Sequence, residues 1–89
     1  MDRVPKSRIE IERLVLDELQ TSENCQGASG ISVVDWSDAA SGANWTVAAY
    51  NHGTASQHDC EQALHVIVPR FQGFYELVQK GFYELVQKH

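Results

Sequence analysis

His52, His58, Cys60 and His65, with Asp59 and Glu61 among them, are the residues of this 89-residue chain that most resemble a chemical site. Imidazole, thiolate and carboxylate groups bind zinc, and they also serve as nucleophiles and bases. The spacing argues against both uses. Zinc-binding helices place histidines about three to five residues apart, whereas His58 and His65 are separated by nearly two full helical turns. Cys25 has no second cysteine nearby to complete a ligand pair. A Cys–His nucleophile needs a third, orienting group, and neither cysteine sits in a glycine elbow. Glu61 and His65 are i,i+4, a spacing that lets them touch as a surface pair. Cys60 opens an apolar stripe and reads as a small buried hydrophobe. No catalytic residue, metal or cofactor is therefore expected. His52, His58, Cys60 and His65 are retained as an alternative ligand site within the segment 52–65. The Asn44-Trp-Thr46 sequon has meaning only behind a secretory leader.

The other conspicuous feature is a repetition. Residues 73–80 read Gly-Phe-Tyr-Glu-Leu-Val-Gln-Lys, and residues 81–88 repeat all eight letters before His89. A unit this short lies far below the 20–50 residue periods that build repeat folds. It lengthens one element and adds no repeat domain.

The elements that must position these groups follow from pattern. Ser7 and Glu10 have capping-box spacing, so a helix starts there, and Ile11, Leu14, Val15 and Leu19 form its apolar stripe. A turn-rich segment, 21–30, ends it. Residues 31–36 and 45–50 are rich in β-branched and aromatic side chains and predict an antiparallel hairpin. Alternation puts Trp45, Val47 and Ala49 on one face of the second strand and Thr46, Ala48 and Tyr50 on the other. Large apolar groups then fall on both faces, so the face left open calls for a partner. Ser56 is the favoured cap of a second helix. Its stripe runs through Cys60, Leu64, Ile67, Phe71, Phe74 and Val78 and continues through Phe82 and Leu85 in the second copy. Pro69 should kink or divide this helix at Val68. The second copy is expected to be helical and to project from the body.

Composition narrows the class. Seven Lys plus Arg against twelve Asp plus Glu leave a formal charge of −5, which disfavours nucleic acid as a partner because affinity there comes from neutralising phosphates. No apolar run approaches the ~20 residues that span a bilayer, and no signal-peptide pattern opens the chain. Membrane association is not expected, and a cytoplasmic location is. Two cysteines cannot make a disulfide scaffold. A domain this small buries only about 60–65% of its unfolded surface, so self-association is a natural source of added stability.

Gly30-Ile-Ser-Val, Asn44-Trp-Thr-Val and Ala63-Leu-His-Val-Ile-Val-Pro-Arg-Phe-Gln72, in that order of elements, resemble short uncharacterised bacterial proteins built as helix, hairpin and closing helix. The resemblance covers residues 7–80 and implies a fold without an assigned activity. The expectation is a single α+β domain over residues 1–80, ordered α-β-β-α, with both helices on one face of the hairpin and completion by homodimerisation. Residues 81–89 form a duplicated extension. The expected role is that of a non-enzymatic, self-associating interaction or regulatory module. Its surface would comprise Trp36, Tyr50, Phe74, Phe82, Tyr83 and Leu85. The competing reading is a small-molecule binder or minor enzyme using the 52–65 segment.

Overall fold

Ser7 ends one element and starts the next. It is the last residue of β1 (Val4–Ser7) and the N-cap of α1 (Arg8–Gln20). Its hydroxyl accepts from the Glu10 amide at 3.3 Å while its own amide donates to Glu10 Oε1 at 3.0 Å, a closed capping box. In this computed structural model, which describes residues 3–37 and 39–78, α1 buries Ile11, Val15 and Leu19 completely. Burying each such side chain contributes about 1.5–3 kcal/mol. A 3₁₀ turn, Glu23–Cys25, follows and leads to β2 (Gly30–Asp35) and β3 (Trp45–Asn51), which pair antiparallel.

The register of this hairpin carries one irregularity. Ser32 pairs with Ala49 and Val33 with Val47, so Ala48 is an extra residue on β3. A bulge of this kind interrupts the two-residue alternation. As a result Tyr50 packs against the core together with Val47, Ile31 and the buried Trp45. This corrects the strict alternation that set Tyr50 on the face opposite Trp45 and Val47. Val34 and Trp36 remain exposed, Trp36 at 52%.

Ser56 caps α2 (Gln57–Phe74), its hydroxyl accepting from the Asp59 amide at 3.4 Å. Cys60, Leu64, Ile67 and Phe71 form the buried stripe. Pro69 lies inside α2 without dividing it. The helix nevertheless stops at Phe74, and Tyr75 turns to extended backbone. Tyr75–Val78 is a strand, β4, paired parallel with β1 from Val4↔Tyr75 to Ser7↔Val78. The continuous helix expected through residue 80 is therefore corrected, because this part of the first repeat copy completes a second, two-stranded sheet. Residues 81–88, and the helical extension expected of them, lie outside the described residues.

The fold is α+β, and the expected α-β-β-α order gains a strand at each end. α1 packs against β2, and α2 against β3. Two consecutive residues tie the hairpin to β4. The Asn44 side-chain amide donates to the Leu77 carbonyl and accepts from the Leu77 amide, both at 2.9 Å. Trp45 Nε1 donates to the Tyr75 carbonyl at 3.0 Å. Arg3 completes the tie, donating to the Gln72 carbonyl and to the Ser41 carbonyl at 2.7 Å each. The Asn-Trp pair of the apparent sequon thus works as a strand clamp.

Candidate functional site

Among the described residues, β2 is the strand paired with β3, along one of its edges. Trp36 donates to the Asn44 carbonyl, which fixes the phase of the ladder: Thr46 turns its main-chain groups toward β2, while Trp45 and Val47 turn theirs away. The Trp45 carbonyl accordingly accepts from Gln72 Nε2 on α2, at 2.6 Å. Among the described residues the outward groups of Val47 meet no comparable partner. They open into a groove of about 440 Å³ between β3 and α2, a volume at the lower end of ligand pockets.

Helical period builds the opposite wall. Glu61, Leu64, His65, Val68 and Gln72 recur at i, i+3, i+4, i+7 and i+11, which places them along one face of α2. Leu64 and Val68 give the wall its apolar centre, and Val47 and Ala48 face them from β3. Strand and helix run in opposite directions and are bridged at both ends. The Gln72–Trp45 bond closes one end, and the Tyr50 hydroxyl donates to the Gln57 carbonyl at 3.3 Å near the other. Trp36 flanks the groove from beyond the end of β2.

Among the described residues, Glu61 is the carboxylate of this lining, and no Lys or Arg joins it. Burial first, and then the neighbouring Glu61 carboxylate, raise the Tyr50 phenol above its ordinary value. The phenol therefore keeps its proton at neutral pH and acts as a donor. The groove offers an apolar centre, a free strand edge, one negative charge, and the phenol and imidazole of Tyr50 and His65. That is equipment for holding an extended, partly apolar ligand.

The residues marked in the sequence fall in several places. Trp36, Tyr50 and His65 meet in this groove. His52 Nδ1 lies 2.9 Å from the Ala55 carbonyl, which can only accept, so His52 pins the turn before α2. His58 is exposed on the first turn of α2. Cys60 is fully buried beside Cys25, and both are free thiols. Burial first, and then the hydrogen bond with Cys25, push the Cys60 thiol up to about 11. That environment suppresses the thiolate a nucleophile requires. Phe74 is half exposed and stacks with Phe71 and Tyr75, ring centroids 6.4 and 6.2 Å away. Phe82, Tyr83 and Leu85 lie outside the described residues. Among the described residues, no three His, Cys, Asp or Glu side chains are grouped to hold a metal ion. None of the helices described is long and apolar enough to cross a membrane.

Sequence reasoning missed Thr46, Val47, Leu64, Val68 and Gln72 as groove residues. The signal for the helical wall was present in the spacing of 61, 64, 65, 68 and 72, but nothing local says that β3 presents its free edge to that wall. No protein-family model matches this chain, and neither a curated protein nor a solved structure matches it.

Proposed function

We propose that this chain is a non-enzymatic interaction module that binds an extended peptide as an added strand on β3, against α2. The observation that carries the reading is the outward main chain of Val47, which lines a groove of about 440 Å³ together with Leu64 and Val68 of α2. Strand addition draws affinity from the main chain and selectivity from alternate side chains. The preferred peptide has apolar residues at alternate positions, directed at Leu64 and Val68, and a basic residue placed against Glu61. The formal charge of −5 favours the same partner at longer range. The adjacent free thiols of Cys25 and Cys60 accord with a reducing, cytoplasmic setting.

The test uses an eight-residue peptide selected by display against the full chain, with fluorescence anisotropy as the readout. N-methylation at alternate peptide positions should weaken binding at least about tenfold, while methylation at the intervening positions should be tolerated, because only one set of amides faces β3. Val68→Lys in the wall should weaken the same peptide. Uniform tolerance of N-methylation would refute strand addition.

Homodimerisation is a second reading, favoured by the exposed Val34, Trp36 and Phe74. Light scattering at ~100 μM checks it, and a mass near 10 kDa would remove it.

A further inference from the structure

β4 sits in a slot that reads mostly main chain. β1 pairs with it along its length, the Asn44 amide takes both main-chain groups of Leu77, and Trp45 Nε1 takes the carbonyl of Tyr75. Side chains are read at two points. Leu77 is buried, 8% exposed, and Tyr75 packs edge-on to Phe71 with ring centroids 5.7 Å apart. Residues 81–88 repeat residues 73–80 letter for letter, so Tyr83, Leu85 and their main chain offer the slot the same features.

We infer that the slot formed by β1, Asn44 and Trp45 is a binding site for either copy of the repeat, and that residues 83–86 of the same chain can replace Tyr75–Val78 in it. The occupant is intramolecular because a segment tethered eight residues away has an effective concentration near millimolar, far above that of a second chain at micromolar concentration. The geometry permits the exchange. α2 delivers the chain to the mouth of the slot at Phe74, and a shift by one repeat brings Phe82 to that mouth while the residues between leave and return as a loop. A loop of that length lies within the ordinary range of connections. The exchange moves the Tyr75–Val78 strand from the body to the surface and seats its copy in the same place.

The duplication makes this testable in the full chain. Leu85→Asp should melt close to the parent, because the first copy stays seated. Leu77→Asp should melt lower, by the cost of closing the loop, and the Leu77→Asp/Leu85→Asp double variant lower still by at least about 5 °C, since no copy then fills the slot. Leu77→Asp melting as low as the double variant would overturn the inference. Trapping gives a second readout that does not depend on a destabilised variant. Pro5 pairs with Glu76, and Glu84 is its counterpart in the second copy. Mild oxidation with glutathione disulfide joins two thiolates into one disulfide and releases two reduced glutathione molecules. Pro5→Cys/Glu84→Cys should close this bond within one chain. Failure to close, when Pro5→Cys/Glu76→Cys closes readily, would overturn the exchange. A covalent dimer from Pro5→Cys/Glu84→Cys would overturn the intramolecular form and assign the slot to a second copy of the chain.

Discussion

Replacing Asn44 by Ala removes the side chain that holds Leu77 by both main-chain groups. A net hydrogen bond contributes about 0.5–1.5 kcal/mol, and a buried main-chain group left without a partner costs more. Asn44 itself is exposed, so water replaces part of what is lost, and the lower half of the range applies to each bond. The sum is about 1–2 kcal/mol. A domain of this size has only about 4–13 kcal/mol of stability, and each kcal/mol shifts its midpoint by about 4–8 °C. The thermal midpoint followed by circular dichroism should thus fall by about 4–16 °C, and hydrogen exchange at the Leu77 amide should accelerate. Asn44→Asp sharpens the test. A carboxylate still accepts from the Leu77 amide but sets a second negative oxygen against the Leu77 carbonyl, so this variant should be the less stable of the two. Both copies of the repeat would use the same clamp, so exchange between them cannot mask the loss. A midpoint within about 1 °C of the parent for Asn44→Ala, or a more stable Asn44→Asp, would refute the clamp.

Gly53 has φ of +56°, and a Cβ there would collide with the Gly27 carbonyl oxygen; Gly53→Ala should cost about 1–3 kcal/mol by urea melting. The Cys60 thiol, raised from 9.0 to about 11, binds its proton more tightly folded than unfolded. Its contribution is therefore complete below pH 9 and is lost between pH 9 and 11, and Cys60→Ala should flatten that alkaline decline in denaturant titrations. Arg70 reaches Glu18 at 2.7 Å, but the two side chains are 45% and 38% exposed. Glu18→Gln should cost less than about 1 kcal/mol, measured as a shift in urea midpoint.

Local chemistry made much of the fold legible. Ser7 with Glu10 announces α1, Ser56 announces α2, and β-branched and aromatic residues mark both hairpin strands to within a residue. The misreadings fall where two periods fit the same letters. Phe74 and Val78 continue the i+3 and i+4 series of α2, while Tyr75 and Leu77 satisfy the alternation of a strand, and four residues are too few to decide. Pairing with β1 decides it, and that contact is between opposite ends of the domain. β1 itself is short and contains Pro5, which argues against a strand on local grounds. The Ala48 bulge defeats simple alternation and moves Tyr50. In the site, the Glu61–His65 pair was legible as helix spacing. The free edge of β3 was not, because an edge exists only relative to the strands that do not cover it.

The parallel pairing of β1 with β4 also sets a timetable for synthesis. Val4 leaves the ribosome among the first residues of the domain, yet its partner Tyr75 is among the last. At about 5–20 residues per second, the roughly 70 residues between them take several seconds to translate. During that interval the helices and the hairpin can form from contacts close in sequence, whereas β1 has no strand to join and Asn44 has no backbone to hold. The domain is therefore committed late. A truncated chain ending before Tyr75 would leave β1 without its partner, an open sheet edge prone to capture by chaperones or by neighbouring chains.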